Sequence, residues 1–242
     1  MGILRMMQQS VIFFPVMLSI FCARAETMER VVIGNRVGEV QYMQRAAGEI
    51  TIEQRDCRYA LTLKDRWLVK FNDPEVVFRL SKNGDASENL PYMNQLKMPS
   101  GYGWAFENPG DPAAKWFGIV CEDEERFAWK SSNGDLTPQL SQVFGENSKK
   151  CPADFRGGKW MPRATRPALI FRELRGHGWS GFITAIKDEA MSTKVSEIRF
   201  CVVHGRQVIV GAMENDNPQP RVDVLLVDQI HEIISSIRFP SN

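Results

Sequence analysis

Short runs of alternating apolar and polar residues dominate the chain and predict strands. Tyr59, Leu61 and Leu63 alternate with Ala60 and Thr62, and after Lys64-Asp65 the pattern resumes at Trp67 to Phe71, predicting a hairpin. Asn72-Asp73-Pro74 turns the chain into a further strand, Val76 to Leu80. Phe117 to Cys121 and Arg126 to Trp129 read as a second pair around the acidic run Glu122 to Glu125. Lys, Gly, Pro and polar residues crowd together from Gly145 to Pro167, which marks the best candidate boundary. Beyond it lie strands at Ala168 to Leu174 and Trp179 to Ile186, then a long hairpin from Val195 through His204-Gly205 to Met213. Leu226, Ile230, Ile233 and Ile237 recur at helical spacing, with Val227 and Ile234 widening the face, so a helix over about 221–236 covers a sheet. A short strand at Ile237 to Phe239 ends at Pro240. The predicted class is α+β: a mainly antiparallel sheet with few helices and a C-terminal amphipathic helix packed on it.

The first 25 residues change this picture, because they carry the parts of a cleavable export signal. Arg5 is followed by an apolar run from Val11 to Phe21 and by Ala23 and Ala25 at signal-peptidase spacing, so cleavage is expected after Ala25. The run is broken by Pro15 and is short of the roughly 20 residues that span a bilayer. Lipidation at Cys22 is disfavoured by Phe21, where a small residue is needed. The expected organisation is therefore a signal at 1–25, an N-terminal β-rich part at 26–150 and a C-terminal α+β part at 151–242, in a protein exported to the periplasm. Removing Arg5 and Arg24 leaves 28 basic and 29 acidic side chains, a balance that does not point to nucleic acid. No later stretch is long and apolar enough to span a membrane.

Cys57, Cys121, Cys151 and Cys201 remain after cleavage, an even number that in an oxidising compartment reads as two disulfides. No two are close enough for a C-x-x-C zinc half-site, so no metal is expected. Three pairings are possible. The preferred one, Cys57 with Cys121 and Cys151 with Cys201, joins the two N-terminal strand pairs and ties the linker to the C-terminal hairpin.

Catalytic patterns are incomplete. His231-Glu232 begins the H-E-x-x-H zinc motif, but position 235 is Ser. Gly178-Trp179-Ser180-Gly181 begins a nucleophile elbow, but Phe182 replaces its last glycine. An envelope hydrolase using His177 and Ser180, or carboxylates such as Glu173 and Glu197, is the alternative to a binding role; a structural or stress-related envelope component is a third reading. His204 is expected at an exposed hairpin tip, and Asn-Gly at 83 and 133 marks turns. No phosphate-binding glycine loop occurs, and no cofactor is expected.

Two features suggest partner contact. Tyr102, Trp104 and Phe106 lie in a glycine- and proline-rich stretch, Pro91 to Trp116, that reads as a long irregular loop, with Gly101 and Gly103 presenting Trp104; the alternative is that these rings fold back as a satellite core. The run Glu122, Asp123, Glu124 and Glu125 reads as a solvated turn or as a negative patch for a cationic partner.

In residues 168–239, Ile198-Arg199-Phe200-Cys201 leads through a turn into Val208 to Met213, and a final helix runs into Ser236-Ile237-Arg238-Phe239. This order resembles exported proteobacterial proteins of unknown function and is similar to the PsbP/DcrB-like α+β fold. Some proteins so built are immunity proteins that neutralise injected toxins, so the resemblance implies a protein-binding module whose partner is another protein, a toxin in the leading form.

Overall fold

The computed structural model describes residues 31–34, 40–45, 47–80, 89–129, 137–214 and 220–240. The expected export signal and the Asn83-Gly84 and Asn133-Gly134 turns lie outside them. β1 (Val31–Gly34), β2 (Gln41–Arg45), β3 (Gly48–Gln54) and β4 (Cys57–Leu63) come first. Next are β5 (Trp67–Asn72), β6 (Glu75–Leu80), β7 (Tyr92–Gln95), β8 (Trp104–Glu107) and β9 (Trp116–Asp123), which ends in a 3-10 turn at Glu124–Arg126. α1 (Pro138–Lys150) leads to β10 (Ala153–Arg156) and β11 (Lys159–Pro162). The chain closes with β12 (Leu169–Gly176), β13 (Trp179–Lys187), β14 (Lys194–His204), β15 (Gln207–Met213), β16 (Val222–Asp223) and α2 (Leu225–Ser235).

Nine strands make one antiparallel sheet in the order β12-β13-β14-β15-β9-β6-β5-β2, with β16 added beside β14. The expected α+β class holds. The sheet passes through both expected parts of the chain, because β15 from the C-terminal part pairs with β9 from the N-terminal part. The 145–167 stretch holds the end of α1 and the β10–β11 hairpin. α1 has few apolar positions and so gives no helical stripe in the sequence, although Thr137 capping Leu140 N ahead of Pro138 is a start signal.

Strand alternation assigns each sheet face its cover. One face carries Phe117, Ile119 and Cys121 of β9, level with Phe200 and Val202 of β14 and with Ile183 and Trp179 of β13. The small sheet β1-β3-β4 and α2 lie on this face: Cys57 bonds Cys121, the buried Gln54 side chain donates to the Ile119 carbonyl at 2.8 Å, and Trp179 Nε1 donates to the Ile237 carbonyl at 3.0 Å. Leu226, Val227, Ile230, Ile233 and Ile234 of α2 are buried as the helical spacing predicts. The other face carries Gly118, Glu122, Cys201 and Phe182, and is covered by α1 and by the hairpins β7–β8 and β10–β11. Cys151 bonds Cys201 there, Trp160 rests on Phe182 with ring centroids 5.2 Å apart, and Phe106 sits so close over Gly118 that a Cβ would lie 2.2 Å from its ring.

The 194–213 hairpin forms as predicted; the strands expected at Val76 to Leu80, Ala168 to Leu174 and Trp179 to Ile186 also form, and β5 pairs with β6 and β12 with β13. Two other pairings are corrected. β4 does not pair with β5; it joins β3 in the small sheet, while β5 lies between β2 and β6. Arg126 to Trp129 make no strand, and β9 pairs instead with β6 and β15, because a strand buried on both faces gains more in the sheet centre than in a local hairpin. The expected strand at Ile237 to Phe239 reduces to one bridge between Ala60 and Arg238.

Both disulfides have the preferred pairing, Cys57–Cys121 and Cys151–Cys201. Thiol titration of the denatured, unreduced chain from residue 26 onward will detect no free cysteine. Replacing Cys57 and Cys121 together by Ser, which opens a loop of 64 residues, will lower unfolding free energy by about 4 kcal/mol on the chain-entropy account. An unchanged urea midpoint would contradict this.

Candidate functional site

The residues singled out in the sequence divide between core and groove. Trp104 and Phe106 are corrected from exposed recognition rings to core: they are 6% and 1% exposed. Their stretch is not an irregular loop. It contains the antiparallel pair β7–β8, whose alternation turns residues 104 and 106 inward. Trp104 meets Phe106 edge to face at 5.7 Å, Phe106 meets Trp116 at 6.1 Å, and Lys150 Nζ lies 4.7 Å from the Trp104 ring centre. Gly101 does turn the chain, with φ of +66°, but it positions Tyr102 over the site below.

The acidic run is also not one solvated negative turn. Glu122, still in β9, points into the layer beneath α1 and is buried, as is Glu124. Asp123 and Glu125 point outward and share Arg206 at 3.1 and 2.9 Å, which cancels much of the expected negative patch. Asp123 also caps the 3-10 turn by accepting from Glu125 N, and this bond holds its carboxyl below the usual range. The backbone N–H of Glu124 donates to the Arg206 carbonyl at 2.8 Å, tying the turn to the β14–β15 hairpin.

Together these groups line an open groove of roughly 420 Å³ at one end of the sheet. Its walls are Glu122, Asp123 and Arg126 on one side, Arg206 and Gln207 on another, and the β3–β4 turn Arg55-Asp56 on the third, with Cys121 at its floor. The Cys57–Cys121 disulfide fixes the β3–β4 turn against β9, and Gln207 Nε2 donates to the Asp56 carbonyl across the gap. Burial raises the Glu122 carboxyl pKa, against the opposing pull of Arg126 at 3.1 Å, of the Tyr102 hydroxyl and of Arg55.

Asn147 of α1 organises the rear of the groove. Its side-chain amide donates to the Arg126 carbonyl at 2.7 Å and its oxygen accepts from the Tyr102 hydroxyl at 2.9 Å. The Arg126 guanidinium carbon lies 5.4 Å from the Tyr102 ring centre. Burial, with Glu122 beside it, pushes the Tyr102 hydroxyl pKa up, so it stays protonated and remains a donor. Arg55, Arg126, Asn147 and Arg206 were not among the expected contact residues. Asn147 and Arg206 reach the groove by pairings distant in sequence, which local pattern does not reveal.

A second ionic cluster lies under α1. Glu214 joins Lys150 at 2.5 Å and Arg199 at 3.0 Å, and Arg199 also holds Glu197 at 3.1 Å and donates to the Lys149 carbonyl. Burial raises the Glu197 carboxyl pKa, with Arg199 opposing it. Each charge has a partner, the arrangement by which a folded interior accommodates ions.

The hydrolase candidates do not assemble. The Ser180 hydroxyl accepts from Trp160 Nε1 at 3.1 Å, His177 is exposed, and no hydrogen bond joins the two. Glu173 lies opposite Phe182 and Glu197 faces Ile186, each with its own arginine, Arg175 at 2.7 Å and Arg199. His204 is partly covered rather than free at its hairpin tip: its Nδ1 meets the Gly178 carbonyl at 2.8 Å and its ring stacks on Phe239 at 4.1 Å. Glu232, in the broken zinc motif, pairs with Lys64 at 2.7 Å. Among the described residues no three His, Cys, Asp or Glu side chains converge as metal ligands, and no helix is long and apolar enough to cross a membrane.

Because Trp104 fills the core, Trp104→Ala will lower unfolding free energy by about 3 to 5 kcal/mol, measured by urea denaturation; native stability in the variant would return the ring to the surface. No family model matches the chain, and no curated protein or solved structure matches it.

Proposed function

We propose that the protein is a non-catalytic binding module of the periplasm that recognises another protein through the groove around Arg126 and Arg206, with neutralisation of a secreted toxin as its specific form. The two disulfides suit an oxidising, exported compartment, and the export signal read at 1–25 gives the route. The likeness of residues 168–239 to PsbP/DcrB-like proteins, some of them immunity proteins, agrees with this role.

The observation that carries the reading is the build of the groove. The Arg126 side chain is about half exposed and that of Arg206 largely so, yet each guanidinium is held in place, Arg126 by Glu122 and Arg206 by Asp123 and Glu125, while Asn147 fixes the Arg126 backbone carbonyl. A guanidinium already fixed in position loses little freedom when a partner carboxylate or backbone carbonyl reaches it, and arginine is a frequent hot-spot residue for this reason. Tyr102 adds an aromatic contact behind Arg126.

The test is comparative retention. Tagged wild-type protein and an Arg126→Ala/Arg206→Glu double variant are exposed to the secreted proteins of competing bacteria, and the bound fraction is quantified. The wild type will retain a specific protein at micromolar bait; the double variant, which loses some stability because Arg126 pairs with the buried Glu122 and is therefore compared at a temperature where circular dichroism shows both proteins folded, will bind it at least 30-fold more weakly, the equivalent of about 2 kcal/mol at a hot spot. Equal retention by the two proteins, or no specific protein on the wild type, would overturn the proposal.

A further inference from the structure

Glu122 and Arg126 form one ion pair in the groove wall, at 3.1 Å, but its two ends stand in different surroundings: the Glu122 side chain is 3% exposed and that of Arg126 47%. The acid is taken out of water and the base is not, so the cost of desolvation falls on the carboxylate. Glu122 nevertheless lines the open groove, which gives a proton from solvent a route to it without unfolding.

Around the ionised carboxyl, hydrogen atoms are short by one. The Asn147 side-chain amide donates to the Arg126 carbonyl at 2.7 Å, which fixes the Asn147 oxygen as the atom that faces Tyr102. The Tyr102 hydroxyl carries a single hydrogen and lies 2.9 Å from that oxygen. The same hydroxyl is in hydrogen-bond contact with the Glu122 carboxyl. With Glu122 ionised, the carboxylate and Asn147 compete for one hydrogen, and one acceptor goes without it. With Glu122 protonated, the carboxyl donates to the Tyr102 oxygen and Tyr102 donates to Asn147, so each group in the chain has its partner.

The other charged groups at Glu122 nearly offset one another. Arg55 of the β3–β4 turn is a second cation near it, while Arg206 is committed to Asp123 and Glu125. Asp56 of the same turn, Asp123 next along β9 and the buried Glu124 stand on the anionic side. Across the β9–β15 pairing Glu122 is opposite Val208, whose side chain offers neither charge nor hydrogen bond. Burial outweighs the pull of Arg126, Tyr102 and Arg55 and raises the Glu122 carboxyl above the usual glutamate range.

We propose that Glu122 is a proton-operated latch on Arg126: ionised, it holds the guanidinium in the groove; protonated from solvent, it donates to Tyr102, completes the chain to Asn147 and releases Arg126 from its ion pair. No other covalent bond changes. Resting on the reading of the groove as a binding site, the latch supplies its regulation: acidification weakens partner binding, because Arg126 loses the anchor that pre-organises it. The folded chain holds this proton more tightly than the unfolded one, so its contribution to stability is fully present below the ordinary glutamate pKa and is lost as pH rises through the higher pKa of the folded state.

The test is NMR of the chain from residue 26 onward between about pH 7 and about pH 4, a range that reaches the ordinary glutamate pKa. Carbon-13 shifts follow the Glu122 carboxyl, and nitrogen-15 relaxation follows the Arg126 Nε–H group. The carboxyl will titrate above the ordinary glutamate range, and Arg126 will pass from restricted to mobile with the same midpoint. In Glu122→Gln, Arg126 will already be mobile at neutral pH, and urea denaturation will show the wild type gaining stability over this variant as pH falls through the midpoint. A Glu122 midpoint in or below the ordinary range overturns the proposal, as does an Arg126 equally restricted on both sides of it; the wild-type titration decides this even if the variant does not fold. Arg126 held as tightly in folded Glu122→Gln as in the wild type overturns it too. No partner enters these measurements, so failure of the latch and failure of the binding reading are separately visible.

Discussion

The pairing of β9 with β15 is the constraint on which the rest of the structure depends. β9 is buried along nearly its whole length, and it brings β6 to one side and β15 to the other. The strands before and after α1 thereby become one sheet. The same strand carries Cys121, which fixes the small sheet above one face, and Gly118, whose missing side chain admits Phe106 from the other. Where β9 runs out of the sheet it delivers Glu122 and Asp123, and the turn that follows delivers Arg126. The groove is the frayed end of the central strand, closed on one side by Arg206 from β15's own hairpin.

Burial sorts the charges into two kinds. Under α1, Lys150, Glu214, Arg199 and Glu197 pair in a chain, and loss of Glu214 would leave the buried Lys150 without its carboxylate, a change that typically costs about 3 to 5 kcal/mol. A buried pair of this kind also joins β7 to the sheet: Glu75 holds Lys70 at 3.1 Å and accepts from Met93 N. At the groove the cations are anchored at one side and open to solvent on the other. That contrast separates ions that organise layers from ions that are free to meet a partner.

Local pattern and local pairing were legible in the sequence; distant pairing was not. The β14–β15 hairpin could be read because both alternating strands and the Gly205 turn are adjacent in the chain, and α2 because its apolar stripe is long. The even cysteine count points to two disulfides but leaves three pairings open, and the preferred one, which joins recognised segments, is the one that forms. β4 and β5 misled because Lys64-Asp65 joins two good strands that belong to different sheets, and a turn-like dipeptide does not say which sheet its strands enter. The glycine and proline around Trp104 and Phe106 suggest a loop, whereas the spacing of two between the rings agrees with their burial in β8. The composition of the acidic run suggests a solvated turn, whereas its period separates the buried Glu122 and Glu124 from Asp123 and Glu125. Asn147 and Arg206 were beyond such reading, since α1 and β15 meet the groove only in three dimensions.

Native-state amide hydrogen exchange of β9 and β15 tests the central claim most directly. If that pairing unites the chain, amides at 118–122 and 207–212 will exchange together, only through global unfolding, with opening free energies equal to the calorimetric stability of a single transition. Two separate transitions, with the 137–240 amides protected after the 47–129 amides have exchanged, would contradict the account.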